Sequence, residues 1–230
     1  MIDFYYAPTP NGWKVAIMLA ETGLEHRTIL VRLTEGDQLT AEFKAINPNA
    51  KIPAIVDHQA DGRALSVFES GAILLYLAEK TGRFGPTGPR ARKEFNEWLF
   101  WQAANQGPMA GQLSHFVNYA PAGQDYSHKR YKGEFERSLA VLDGRLSERD
   151  YIFESYSIAD MMAFPWAFIA KPLGVSLDAF PNVAAWRRRI KTRPAVREAI
   201  DLYKDAQFSG SANAEQNAVL FNQSAEHLRG

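Results

Sequence analysis

Three short stretches hold residue types suited to an extended, anionic ligand: Thr9-Pro-Asn11, Lys51-Ile-Pro53 and Glu69-Ser70. Pro53 lies in a strand-like run although proline cannot donate to a ladder, which ordinarily marks an edge strand or a first-residue proline. The sharper alternative is a cis Ile52–Pro53 bond, which would turn the Ile52 backbone outward to pair with an extended ligand. Glu69-Ser70 opens a helical pattern. Either residue can serve as a simple cap, or the helix end can take a carboxylate while Glu69 takes an ammonium. Thr9 or Asn11 can likewise cap the first helix, or offer a hydroxyl or amide donor that stabilises a thiolate. Tyr5 and Tyr6 are alternative donors, of which strand alternation directs one toward the same place.

Other chemistry finds no footing. The chain has no cysteine, which excludes disulfides, zinc–thiolate centres and a thiol nucleophile of its own. His26, His58, His115, His128 and His227 lack metal-ligand spacing, so no metal is expected. Ser, His and Asp are scattered without a nucleophile elbow, and no glycine-rich phosphate loop occurs. Basic and acidic residues balance at 26 each, so no field favours nucleic acid. Arg187-Arg-Arg189 reads as the solvated face of a helix. Trp98, Phe100 and Trp101 read as core or interface, with the lining of a cleft as the alternative for some of them. The apolar run Met161 to Ala170 is too short for a bilayer and holds Pro165. Met1-Ile-Asp-Phe begins directly in strand-like sequence, so no membrane association and a cytoplasmic location are expected.

The elements that must position these residues follow from periodicity. Ile2, Phe4 and Tyr6 alternate as a strand that stops at Ala-Pro-Thr-Pro-Asn-Gly. From Asn11 the pattern turns helical, with Val15, Met18 and Leu19 on one face and Gly23 at the end. His26 to Leu33 reads as a second strand, and Thr40 to Ile46 as a short helix. Ile52 to Val56 and Ala64 to Phe68 form a hairpin with Asp61-Gly62 at its bend. Ser70 to Thr81 is helical, with Ile73, Leu74 and Leu77 on one face. The order βαβαββα within residues 1–81 predicts a layered α/β unit.

Residues 82–89 are rich in glycine and proline and read as a linker. Residues 90–205 read as all-helical. Ala91 to Gln106 and Tyr126 to Leu146 are long helices, with Gly107-Pro-Met interrupting the first. Ser157-Ile-Ala-Asp160 fits a capping box before an apolar helix, Ile158 to Ile169, kinked at Pro165. Pro181 and Pro194 each open a further helix. Residues 206–230 form a polar tail, either loose or lying as an arm over the body.

Taken together, the chain resembles the glutathione transferase superfamily over about residues 1–205. The resemblance rests on Asn47-Pro-Asn-Ala-Lys-Ile-Pro-Ala-Ile55, Phe68-Glu-Ser-Gly-Ala-Ile-Leu-Leu-Tyr-Leu77 and Ser157-Ile-Ala-Asp160. It implies a thioredoxin-like domain followed by a helical bundle. Tyr6-Ala-Pro-Thr-Pro-Asn-Gly12, Trp98-Leu-Phe-Trp-Gln102 and Gly107-Pro-Met-Ala-Gly-Gln112 are most similar to the nu class of bacterial glutathione disulfide-bond oxidoreductases.

That resemblance implies glutathione as co-substrate. Glu69 and Ser70 would hold its γ-glutamyl group, and the Ile52 backbone beside Pro53 its cysteinyl unit. Gln38 and Lys51 would lie toward the glycyl end, and Thr9 and Asn11 near the sulfur. Arg130 would reach the partner's site across a homodimer interface. Trp13 and Ala50 stand where close relatives are more polar. The implied reaction is reduction of small or mixed disulfides by two glutathione thiols. The alternatives are conjugation of glutathione to an electrophile, or glutathione binding without catalysis.

Overall fold

The computed structural model describes residues 1–60, 62–206, 213–221 and 225–228. By packing, the chain divides into two compact units, residues 1–77 with 198–230, and residues 78–197.

The first unit is built on a four-stranded sheet. Strand β1 (Ile2–Tyr6) leads into helix α1 (Pro10–Thr22). Strand β2 (His26–Leu30) then returns parallel to β1, in register from Ile2 with His26 to Tyr6 with Leu30. Helix α2 (Ala41–Ile46) follows. Strands β3 (Ala54–Ala60) and β4 (Arg63–Phe68) pair antiparallel, and the sheet order is β2-β1-β3-β4. Helix α3 (Ser70–Thr81) completes the expected βαβαββα order.

The alternation of β1 sorts the core onto two faces. Ile2, Phe4 and Tyr6 are buried, as are Val15, Met18 and Leu19 of α1 and Ile73, Leu74 and Leu77 of α3. Burying each of the Val, Leu, Ile, Phe and Met side chains among these contributes about 1.5–3 kcal/mol. Val31, Phe43 and Ala54 form a smaller cluster, with Tyr5 and Ile52 packed against it.

Boundaries differ from the pattern-based reading in informative ways. Strand β2 stops at Leu30 because Leu33–Glu35 folds into a 3-10 turn. Strand β3 starts at Ala54, after the proline, and runs on to Ala60. Its pairing with β4 is irregular between Asp57 and Ala60. There the buried Asp57 carboxylate accepts from the Tyr76 hydroxyl of α3 at 2.7 Å and from the Gln59 N–H at 2.9 Å. The expected bend at Asp61-Gly62 is described at Gly62, with φ +79°; Asp61 lies outside the described residues.

Within the polar C-terminal stretch, helix α10 (Ala214–Phe221) sets Val219 3.7 Å from where a side chain on Gly36 would begin, and the Lys44 ammonium donates to the His227 carbonyl at 3.4 Å. These described residues lie against the α/β unit as an arm. Residues 207–212, 222–224 and 229–230 of the same stretch lie outside the described residues.

The second unit is helical among its described residues. Its helices are α4 (Pro89–Trp101), α5 (Gly107–Asn118), α6 (Asp125–Arg145), α7 (Ile158–Phe168) and α8 (Pro181–Lys191), and α9 (Pro194–Asp201) follows. Gly107-Pro-Met does not break the chain direction. Gln102–Gln106 forms one wide π turn that joins α4 to α5. The turn brings Gly107 so near the Gln102 carbonyl that a Cβ there would lie 3.1 Å from it.

The capping box forms as its spacing predicted: Ser157 and Asp160 each bond the other's end of the first turn of α7. In the arginine run on α8, Arg188 is exposed, as expected of a solvated face, while Arg187 and Arg189 are half-buried. Arg187 donates to the Phe168 carbonyl at 3.1 Å, and Arg189 pairs with Asp150 at 2.6 Å. Guanidinium groups on that side find carbonyl and carboxylate partners from neighbouring segments, so they are half-buried. Among the described residues no helix is long and apolar enough to cross a membrane.

Candidate functional site

The sheet register gathers the predicted residues. Tyr5 pairs with Ala54, and Ala54 with Phe68, so the end of β1, the start of β3 and the end of β4 form one row. Thr9 and Asn11 follow β1, Lys51, Ile52 and Pro53 precede β3, and Glu69 and Ser70 follow β4. All therefore lie at one end of the sheet. Gln38 follows β2, whose last residue Leu30 pairs with Tyr6 at that same end. Arg130 is on α6 in the other unit. It is exposed, paired with Glu134 at 3.0 Å, and lines an open hollow of about 390 Å³ with Tyr126 and Lys129.

Thr9 is the N-cap of α1, with extended backbone, and its Oγ1 accepts from the Gly12 N–H at 3.3 Å. That bond uses a lone pair and leaves the hydroxyl proton for another acceptor. Gly12 is required there, since a Cβ would run into the Ala7 carbonyl oxygen. Asn11, in the first turn beside it, is half-buried.

Tyr6 is unsuited to the donor role raised for it. Its hydroxyl donates to the Leu202 carbonyl at 3.1 Å and its ring is fully buried, which pushes its pKa up. Tyr5 packs edge-on to Phe43 at 5.8 Å, in the small cluster.

The Asn47 side chain braces the loop before β3. Asn47, buried, donates to the Lys51 carbonyl at 2.6 Å and accepts from the Asn49 N–H at 2.9 Å. Ala50 takes a left-handed conformation, φ +52°, with its N–H on the Asn47 carbonyl. The Ile52–Pro53 bond is cis. Ile52 stands outside the ladder, whose first β3 residue is Ala54. Lys51 is exposed, whereas Gln38 is 2% exposed and donates to the Leu33 carbonyl at 3.1 Å.

At the third corner Glu69 is exposed and left-handed, φ +67°, and its carbonyl accepts from the Ile73 N–H to start α3. A non-glycine residue in that region costs about 1–2 kcal/mol, and such strain concentrates at functional sites. Ser70, 9% exposed, has its Oγ 3.4 Å from the ammonium of Lys14.

Lys14 escaped the sequence reading. It is 2% exposed, and burial pushes its pKa down to about 7, the Glu69 carboxylate acting against that shift. The signal was available: Lys14 lies one turn before Met18 on the apolar face of α1, where a lysine must find a partner.

Comparison with known proteins adds the family. The sequence model described as the glutathione S-transferase N-terminal domain matches residues 9–80, and that of the C-terminal domain matches residues 125–189. The chain belongs to the glutathione S-transferase superfamily. Its fold, a thioredoxin-like sheet followed by helices, is the transferase fold. The disulfide-bond oxidoreductase YfcG of Escherichia coli (strain K12) is 48% identical over 203 residues, covering 87% of this chain and 94% of that protein.

Two solved transferases match closely in shape as well. The one from Burkholderia graminis, with two glutathione molecules bound per subunit, has a TM-score of 0.83 and 45% identity, covering 88% of each chain. The one from Pseudomonas putida, with one glutathione disulfide bound per subunit, has a TM-score of 0.82 and 38% identity, covering 88% of this chain and 91% of that one. Among the described residues no group of histidine and carboxylate side chains could hold a metal ion.

Proposed function

We propose that this transferase is a glutathione-dependent disulfide-bond oxidoreductase of the nu-class type, in which both reacting thiols come from glutathione. The observation that carries the reading is a cysteine-free chain whose sheet end gathers Thr9, Asn11, Ile52, Glu69 and Ser70. The names and bound ligands of its relatives support it. Residues 1–81 form the glutathione-binding domain, joined through residues 82–89 to the helical domain.

Glu69 takes the ammonium of the γ-glutamyl group, and Ser70 with the first amides of α3 takes its carboxylate. The Ile52 backbone pairs with the cysteinyl unit, and Lys51 and Gln38 lie toward the glycyl end. The Thr9 hydroxyl and the Asn11 amide donate to the sulfur, which favours the thiolate. The thiolate attacks one sulfur of the substrate disulfide. The S–S bond breaks, and the departing thiolate takes a proton. A second glutathione thiolate then attacks the mixed disulfide, releasing glutathione disulfide and the second substrate thiol. Two glutathione thiols are oxidised and one disulfide is reduced, with no redox residue on the enzyme.

The protein acts as a cytoplasmic homodimer in this reading, with Arg130 reaching the partner's site. Exposed Leu65 and Phe68 on the edge strand β4, and Tyr126, 83% exposed near Arg130, support association. A side-by-side assay tests the function. Rapid reduction of bis(2-hydroxyethyl) disulfide by glutathione, with slow conjugation to an aryl halide, is expected. Fast conjugation with slow disulfide reduction would assign it to the conjugating enzymes, and glutathione binding with neither activity to non-catalytic binders.

A further inference from the structure

The helical unit has a hollow that takes no part in the reaction just described. Helix α7 ends at Phe168, and the chain then curls back, with the Val175 N–H on the Ala170 carbonyl at 3.0 Å. Helix α8 passes beside that loop, and Ala184, Arg187 and Arg188, three and four positions apart, share one of its faces. Loop and helix enclose an open hollow of about 470 Å³. Val175, Leu177 and Ala184 give it apolar walls, and Lys171, Arg187 and Arg188 bring three cations to it.

These cations lack what the fold supplies to others. Arg92, Lys93, Arg130 and Arg189 line other hollows, and each has a carboxylate partner at 2.6–3.2 Å. Among the described residues, the side chains of Lys171, Arg187 and Arg188 have none. Arg187 is half-buried. Its partners are a neutral carbonyl and the ring of Phe168, and its Nε–H has no acceptor. Burial pulls its pKa below the usual arginine value, with no anion acting against that shift. Asp178 is the one carboxylate among the lining residues, which leaves a balance of two positive charges. Ser176 Oγ accepts from the Asp178 N–H at 3.1 Å, so its hydroxyl proton is left for another acceptor.

We infer that this hollow is a binding site for a small phosphate monoester. Lys171, Arg187 and Arg188 hold the dianion, and the organic part packs on Val175, Leu177 and Ala184. A phosphate monoester carries about −1.5 to −2 charges at pH 7, which matches the balance of the lining, whereas one carboxylate would leave half of it uncompensated. Guanidinium groups bind phosphate oxygens through directed, charge-assisted bonds. The arriving dianion offsets the desolvation that Arg187 already carries, and the apolar walls strengthen the field of the cations. The hollow has the size of a small-molecule site, about 300–1,000 Å³.

Two-dimensional amide NMR on the intact protein tests this at pH 7.5 and low salt. The probes are phenyl phosphate, inorganic phosphate and benzoate, which separate the dianion from the ring. Phenyl phosphate should give saturable shifts centred on residues 171–188, with Kd below about 1 mM. Inorganic phosphate should bind more weakly, and benzoate at least about 10-fold more weakly.

The double variant Lys171→Ala/Arg188→Ala changes two exposed side chains and should lose at least about 10-fold in affinity for phenyl phosphate while still folding. Ala184→Leu keeps every charge and fills the hollow, so it should also lose about 10-fold for phenyl phosphate. If that variant misfolds, the double variant carries the test. No saturation by about 10 mM phenyl phosphate in the wild type, or unchanged affinity in the double variant, would overturn the inference. Equal affinity for benzoate, or unchanged affinity in a folded Ala184→Leu protein, would overturn it too, because a general attraction of anions to a basic face would then suffice.

Discussion

The Asp160 carboxylate of α7 accepts a 2.8 Å hydrogen bond from the Trp186 indole of α8, inside the helical unit. The same carboxylate accepts from the Ile152 N–H, the Ser157 N–H and the Ser157 hydroxyl at 3.0–3.1 Å. Burial pushes its pKa up to about 6 against these bonds, which leaves it ionised at neutral pH. Replacing it with asparagine would turn an amide donor toward a set of donors. Asp160→Asn is therefore expected to cost about 3–5 kcal/mol of unfolding free energy. Urea denaturation at pH 7.5 measures it, and a loss under 1 kcal/mol would contradict this account.

Lys14 should leave a mark on the pH dependence of stability. Its folded pKa, about 7, lies below the ordinary 10.5, so between those values the unfolded chain binds more protons. Stability from this group therefore rises with pH above about 7 and is flat below it, with a slope of up to about 1.4 kcal/mol per pH unit. Urea midpoints of the wild type and Lys14→Met, compared at pH 6, 7.5 and 9, should diverge most at pH 6, where the buried charge costs most. Parallel profiles would show that Lys14 stays charged throughout.

Asn47 shapes the loop from which Ile52 presents its backbone. Asn47→Ala removes two hydrogen bonds from a buried position and leaves the Asn49 N–H and the Lys51 carbonyl without them. A loss of about 2–3 kcal/mol is expected, together with weaker glutathione binding and little change in kcat at saturation. Intact affinity would separate the loop from the ligand.

Turnover and affinity should divide between two corners of the site. Asn11→Ala is expected to lower kcat by about 10²-fold with a small change in glutathione affinity, since its donor matters most as negative charge develops on sulfur. Glu69→Ala should chiefly raise KM for glutathione. Steady-state kinetics with bis(2-hydroxyethyl) disulfide reads both. An Asn11→Ala enzyme with unchanged kcat would remove that residue from the mechanism.

Tyr6 supplies a contrasting case. Because its hydroxyl is bonded to the Leu202 carbonyl, Tyr6→Phe should keep kcat within about 2-fold while costing about 1 kcal/mol of stability. A large drop in kcat with unchanged stability would restore tyrosine as the thiol's donor.

These residues also mark how far the chain can be read without its fold. The βαβαββα order, the apolar faces of α1 and α3, the capping box at Ser157 and the Thr9 cap depend on neighbours one to four positions apart. Such patterns are carried by periodicity and local hydrogen bonding. The same logic missed the 3-10 turn at Leu33–Glu35 and the π turn at Gln102–Gln106, because neither has a distinctive residue signature. It also left α8 without a visible cap, since the acceptor for its first amides is Asp143 of α6, at 2.9–3.0 Å.

From the sequence alone followed the family, the order of elements, the absence of a protein thiol and the three stretches that line the proposed site. Those properties reside in residue identity and short spacing. Which hydroxyl is bonded to what, and which charge is buried, came from packing between distant segments. Ser70 and Lys14 are 56 positions apart, and their juxtaposition exists because the β3–β4 pair carries the start of α3 to the buried face of α1. Tyr6 and Leu202 are 196 apart, and their bond takes away from the site a hydroxyl that strand alternation alone would have offered it. A side chain's protonation and donor direction depend on desolvation and on its nearest partners, and those are set when the sheet and helices close around it.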